Sequence, residues 1–208
     1  MRAPYPVMAD PSVKCVDAEL SPMQIKAIRE YGDGLIAAHP LAAKVGYNES
    51  SHADPVLRQA VTQWLPQPDY GRLTTLGPGG ESAWIYAMAW TVVQQVNGLI
   101  WRYDLTDFYD QLHYVRYDAP SGHFAWHRDS GDDWRRVQRK LAFSLLLSDP
   151  GEYDGGEFQI FDGGERTVQA SEAGTMILFP AFTQHRGLPV TRGERRALIG
   201  WAGGLPFK

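Results

Sequence analysis

The alternation of apolar and polar residues changes period near residue 98. Before that point the spacing is helical. Ser21-Pro22-Met23-Gln24 supplies an N-capping serine, a proline at the first helical position and a glutamine able to close a capping box. Ile25, Ile28, Leu35 and Ile36 then fall near one face, while Gly32 and Gly34 weaken the middle. A second helix is predicted from Glu81 to Val96, stopped by Asn97-Gly98. Val56 to Leu65 has no clear period and is taken as strand.

Beyond residue 98 the pattern predicts short strands at Leu99–Leu105, Gln111–Tyr117, Phe124–Asp129, Lys140–Leu147, Glu157–Phe161, Thr167–Ala170, Thr175–Phe179, His185–Val190 and Arg196–Trp201. Pro150-Gly151, Asp154-Gly155-Gly156 and Asp162-Gly163-Gly164 supply turns between them. Closely spaced strands without intervening helices indicate an antiparallel sandwich or barrel. The expected fold is mostly β (α+β): a jelly roll over 99–208, with helices from a 1–98 support region packed on one sheet. No repeat or long linker interrupts the chain, so 1–208 is taken as one domain.

Composition narrows this picture only slightly. A length of 208 residues suits one well-cored domain, and 44% apolar with 21% charged residues is an ordinary globular balance. Aromatics, at 12%, are assigned mainly to the core. A net charge of −4 and a pI near 5.8 do not advertise nucleic acid or an anionic membrane as partner. The lone Cys15 can form neither an internal disulfide nor a thiolate metal cluster, which fits a reducing compartment. The N-terminus lacks the apolar run of a secretory signal, and the longest apolar run, Trp84 to Trp90, is far short of a membrane span. A cytoplasmic protein is expected.

The chemistry concentrates in Phe124-Ala125-Trp126-His127-Arg128-Asp129. Residues i and i+2 of a strand share a face, so His127 and Asp129 project together. With a distant histidine they make a 2-His-1-carboxylate triad, the ligand set that leaves open positions on Fe(II). His185, at the start of a later strand, is the natural third ligand. H-x-D alone is a weak motif. His39, His52, His113 and His123 are assigned structural roles. Ten residues beyond His185 lies Arg195; a tight turn at Arg192-Gly193 and an antiparallel return would bring it beside the metal, where a guanidinium can clamp a carboxylate. Arg192 and Arg196 are taken as part of a solvated turn. Trp126, Arg128 and Trp201 are candidate rim residues, though a structural role is favoured for each, and Trp134–Lys140 is taken as a solvated basic loop.

In order, Tyr117, Trp126-His127-Arg128-Asp129, Leu145–Pro150, Tyr153–Phe158, Ala173-Gly174-Thr175 through Phe179-Pro180, and His185 through Arg195 resemble the catalytic core of the prolyl 4-hydroxylase branch of Fe(II)/2-oxoglutarate dioxygenases. The PKHD-type hydroxylases are the nearest group, and the likeness spans Tyr114 to Gly203. It implies a double-stranded β-helix, with His127, Asp129 and His185 on Fe(II), and Arg195 on the distal carboxylate of 2-oxoglutarate. It also implies Tyr117 as a hydrogen-bond partner of that cosubstrate, O₂ as the other cosubstrate and ascorbate as a candidate reductant. Phe124 departs from the group, which usually has tyrosine there. The implied reaction is oxidative decarboxylation of 2-oxoglutarate coupled to hydroxylation of a prolyl or other amino-acid carbon, in a free, peptidyl or small natural-product substrate. The presence of Asp129 favours a hydroxylase over a halogenase. The alternative is a cupin-like jelly roll that binds a metal or small ligand without turnover; such sites typically present H-x-H.

Overall fold

The computed structural model describes residues 12–44, 52–68, 80–108, 110–131, 138–170 and 172–205. Two antiparallel sheets face each other. The larger runs β1 (Lys14–Asp17), β12 (Thr175–Pro180), β8 (Arg139–Leu146), β14 (Val190–Gly203), β6 (His113–Asp118), β4 (Val61–Trp64) and β2 (Leu41–Ala42). Within it, β5 (Asp107–Phe108) and β9 (Tyr153–Gly155) also pair with β14. The smaller runs β11 (Glu165–Thr167), β10 (Phe158–Phe161), β13 (Gln184–Gly187), β7 (His123–His127) and β3 (Arg58–Gln59). The predicted mostly-β sandwich with helices on one sheet is what the chain adopts.

Helix α1 (Pro22–Ala38) starts as the sequence predicts: Ser21 Oγ accepts from the Gln24 amide at 3.3 Å, and Gln24 Oε1 accepts from the Ser21 amide at 3.0 Å. Its buried face is Ile28, Gly32 and Ile36. Gly32 has a packing reason. A Cβ there would lie 2.4 Å from the Tyr114 ring, so the missing side chain lets α1 close onto β6. Helix α2 (Ala83–Leu99) contributes Ile85, Tyr86, Ala89 and Val93 to the same layer. Both helices thus cover one face of the large sheet, against Leu112, Leu141, Phe143, Leu145 and Leu198. Each such side chain contributes roughly 1.5–3 kcal/mol of hydrophobic stabilisation. The opposite face carries Ala142, Ile177, Phe179 and Trp201, packed on Ile160 of the small sheet. Strand β8 is therefore buried on both faces along its whole length.

Several expectations fail for identifiable reasons. Asp154-Gly155-Gly156 is not a turn, because Tyr153–Gly155 pairs with β14 as β9, and the strand expected at Thr167–Ala170 is instead β11, Glu165–Thr167, set by its pairing with β10. Leu99–Leu105 is not a strand. Helix α2 runs past Asn97, whose side chain donates to the Tyr103 carbonyl at 2.9 Å and accepts from the Tyr103 amide at 3.0 Å, holding 100–103 in a tight turn. Val56–Leu65 is not one strand but two, β3 in the small sheet and β4 in the large one. Arg192-Gly193 is not the turn after His185. The chain does not turn back there: through Leu188-Pro189 it keeps its direction beside residues 153–158, the Leu188 amide donating to Glu157 O at 2.9 Å and the Gly156 amide to Pro189 O at 3.0 Å. It then crosses to the large sheet, and β14 runs through Gly193, whose φ of 70° admits β9 closely alongside.

Candidate metal and cosubstrate site

The metal candidates come from the small sheet. His127, the last residue of β7, pairs in register with His185 of β13, and their ring centroids lie 4.1 Å apart. Asp129 lies just past the end of β7. Its amide donates to Ala181 O at 3.0 Å, and its carbonyl accepts from Arg139 Nη1 at 3.1 Å, so its backbone is fixed from both sides. The carboxylate reaches both imidazoles, with Oδ1 3.8 Å from His127 Nε2 and Oδ2 3.6 Å from His185 Nε2. The three potential ligand atoms lie within 4.8 Å of one another. An ion placed roughly 2.0–2.3 Å from each, the usual range for nitrogen and oxygen ligands, can touch all three.

Both imidazole rings are held by backbone carbonyls. His127 Nδ1 is 2.8 Å from Ala125 O and His185 Nδ1 is 2.9 Å from Thr183 O. A carbonyl only accepts, so each Nδ1 is a donor and each Nε2 is the ring atom left to face the shared point. Burial, then the neighbouring His185, pushes the His127 pKa down to about 3, so this imidazole is neutral at ordinary pH. Burial alone would raise Asp129, but His185, His127 and Arg139 outweigh it and hold the carboxyl below its ordinary value. Two imidazoles, one carboxylate and no thiolate suit a borderline divalent ion such as Fe(II).

The three side chains open onto a cavity between the sheets. Arg195 and Tyr117, directly opposite in the β14–β6 register, line its other wall. Arg195 is 7% exposed, and its guanidinium makes no ion pair or hydrogen bond among the described residues; the Tyr117 ring lies 5.7 Å from the guanidinium carbon. A buried, unpaired cation is costly unless an anion joins it. Arg195 therefore faces the ligand cluster from the opposite sheet, not from a hairpin shared with His185.

Other expectations are revised. Arg192 is exposed but ion-paired with Asp154 at 2.6 Å. Arg196 is no part of a solvated turn: it is largely buried, holding Asp33 of α1 at 2.9 Å and Glu194 at 2.5 Å. Trp134–Val137 lie outside the described residues. Arg139 and Lys140 are buried, not solvated, because they open the central strand β8. Arg139 pairs with Asp110 at 2.6 Å and lies 4.1 Å from the Trp201 ring. Trp201 lines the cavity, Arg128 is exposed, and Trp126 packs against Phe161 and Arg186. Phe124 stacks on the His127 ring at 3.4 Å. His113 is a buried residue stacked on Trp64, and His123, though at the cavity edge, has its ring nitrogens on the carbonyls of Ser121 and Val56. The sequence reading missed Arg58, which also lines the cavity. It is brought there by the pairing of β3 with β7, which no local motif announces.

The sequence family described as the 2OG-Fe(II) oxygenase superfamily matches residues 112–203. A PKHD-type hydroxylase of Gluconacetobacter diazotrophicus is 32% identical over 200 residues, covering 92% of this chain and 75% of that protein. The chain belongs to the 2OG-Fe(II) oxygenase superfamily. A PKHD-type hydroxylase of Parvibaculum lavamentivorans is 47% identical over 74 residues. That match covers 35% of this chain, which spans only 33% of the relative's length. A Pseudomonas putida prolyl-4-hydroxylase structure superposes with a TM-score of 0.68 at 22% identity, covering 93% of both chains. The facing sheets are thus the double-stranded β-helix of this superfamily. Family membership implies Fe(II), 2-oxoglutarate and O₂, and the residues present fit them: imidazole and carboxylate donors at one point, and a buried unpaired guanidinium across the cavity. No helix among the described residues is long and apolar enough to cross a membrane.

Proposed function

We propose that this protein is an Fe(II)- and 2-oxoglutarate-dependent hydroxylase acting on a prolyl or other amino-acid carbon, in a free, peptidyl or small natural-product substrate. One observation carries the reading. The cluster of His127, Asp129 and His185 shares a cavity with the buried, unpaired Arg195. A metal-binding module needs the first feature but has no use for the second. In this reading the three side chains hold iron. When bound, the metal and cosubstrate supply oxidative decarboxylation of 2-oxoglutarate by O₂, giving succinate and CO₂, coupled to hydroxylation of the substrate.

The chain's own residues have separable tasks. Arg195 neutralises the distal carboxylate and fixes which end of 2-oxoglutarate faces the metal. Tyr117, opposite Arg195 in the β14–β6 register, donates to the same cosubstrate in this reading. The apolar walls of Phe158, Phe179 and Val190 exclude water, which strengthens the charge contacts inside. Ascorbate would serve only to return oxidised iron to the ferrous state, and the site is a cytoplasmic one in this reading. The test is succinate formation from 2-oxoglutarate with added Fe(II), with and without candidate amino acids and peptides. Metal binding without succinate under any condition would support the cupin-like alternative.

A further inference from the structure

The cavity contains a second buried guanidinium. Arg58 is 9% exposed, its Nε has no hydrogen-bond partner, and Nη1 makes only a long 3.5 Å contact with the Lys44 carbonyl. No carboxylate pairs with it among the described residues. Its guanidinium carbon lies 4.5 Å from the centre of the Phe124 ring, which in turn stacks on His127 at 3.4 Å. One aromatic ring therefore separates this cation from a metal-ligand candidate. Arg58 enters from β3 at the edge of the small sheet, whereas Arg195 enters from β14 of the large one.

A charge count gives Arg58 a task. Among the described residues lining the cavity, Asp129 is the sole carboxylate. A divalent ion, Asp129, Arg195 and dianionic 2-oxoglutarate together sum to zero. The charge on Arg58 remains, and a buried unpaired charge is costly. What is missing is one monoanion, bound where the substrate must sit. We propose that Arg58 is a specificity-determining residue that pairs with a carboxylate of the substrate, so that the substrates are carboxylic acids. This rests on the hydroxylase reading above. The carboxylate has two sources, the α-carboxylate of a free amino acid or an acidic side chain within a peptide. A planar guanidinium receives either in the same bidentate way.

The test uses wild-type protein and Arg58→Gln, each loaded with manganese(II) and 2-oxoglutarate so that no turnover occurs. Thermal melting is followed with free amino acids, dipeptides and N-acetylated peptide amides carrying Asp or Glu, each acid set beside its neutral amide. The iron-loaded forms are then assayed for succinate. We expect one or more acids to raise the melting temperature and stimulate succinate, with the matching amide about thirty-fold weaker or worse, the loss typical of one desolvated charge pair. Arg58→Gln should erase that preference while its affinity for 2-oxoglutarate stays within about threefold, because the cosubstrate clamp is a separate residue. A response confined to free amino acids assigns the α-carboxylate; a response to acidic peptide amides assigns the side chain. Amides as effective as acids, an acid preference surviving in Arg58→Gln, an equal loss of 2-oxoglutarate affinity, or no acid acting on an enzyme that does turn over 2-oxoglutarate would each overturn the proposal. Should wild-type protein make no succinate at all, the hydroxylase reading fails by itself, and the acid-against-amide melting comparison still decides the role of Arg58.

Discussion

Replacing Arg195 with methionine removes the guanidinium but keeps most of the stem. Among the described residues the guanidinium has no ion-pair or hydrogen-bond partner, and the Tyr117 ring lies 5.7 Å away, a contact worth roughly 0.5–1 kcal/mol. Against that loss, the variant no longer buries an unpaired charge. The melting temperature should therefore stay level or rise. With 2-oxoglutarate bound the balance reverses, because a charge-assisted bidentate pair in a dry site is lost, at a cost of about 2–4 kcal/mol. That corresponds to 2-oxoglutarate binding weaker by about thirty-fold to several-hundred-fold. Calorimetric titration of 2-oxoglutarate into manganese(II)-loaded protein measures it directly, with manganese affinity and melting temperature as controls. Unchanged 2-oxoglutarate affinity would refute the clamp, and the role would pass to Arg58, since Arg192 and Arg196 already have carboxylate partners. A parallel collapse of manganese affinity would show that Arg195 supports the metal cluster instead.

Asp129→Ala should leave the fold intact but abolish succinate formation and weaken manganese binding, and Asp129→Glu should lower turnover about a hundredfold by displacing the ligand oxygen by roughly 1 Å; full turnover in either variant would remove Asp129 from the site. Asp110→Ala strands the buried Arg139 guanidinium, so a stability loss of about 3–5 kcal/mol is expected in denaturant titration, together with weaker metal binding because Arg139 fixes the Asp129 carbonyl. Gly32→Ala would push a methyl to 2.4 Å from the Tyr114 ring, so melting should drop by an amount equivalent to about 1–3 kcal/mol while the 2-oxoglutarate requirement of the folded enzyme stays unchanged.

Local chemistry was readable from the sequence where a short-range rule governs it. The Ser21–Gln24 capping box, the turn at Gly163 between β10 and β11, and the H-x-D pair all depend on neighbours within a few residues. The failures lie where a distant partner decides. Asn97 looked like a helix stop because its amide competes with the backbone, and it does compete, but six residues downstream at Tyr103. The switch of sheets at Ala60 follows from pairings with β7 and β6 that lie beyond residue 112. Arg195 reached the cavity by a route other than the one its spacing suggested. A hairpin from His185 would have put both residues in one sheet; the crossing at Leu188-Pro189 puts them in two. Arg58 had no signal at all, since its place depends on the register Arg58↔Phe124.

That crossing matters for how the site can work. If the ligand histidines and the arginine shared one hairpin, a single flexible turn would set the distance between metal and carboxylate clamp. Here His127 and His185 are fixed by their mutual register and by the carbonyls two residues before each, Ala125 and Thr183. Arg195 is fixed independently by pairing with Tyr117 in the large sheet. The spacing between the two is then set by how closely the sheets pack, through Phe179 and Phe158, whose rings meet at 5.3 Å. Packed interiors are as dense as organic crystals and yield little. In the proposed reading, the gap between the arginine and the histidines is therefore set by two packed layers, and backbone carbonyls orient both imidazole rings toward the shared point. Such a preorganised gap between charge clamp and metal is a feature of catalysis by positioning. A module that merely held an ion would need neither the second layer's arginine nor its fixed distance.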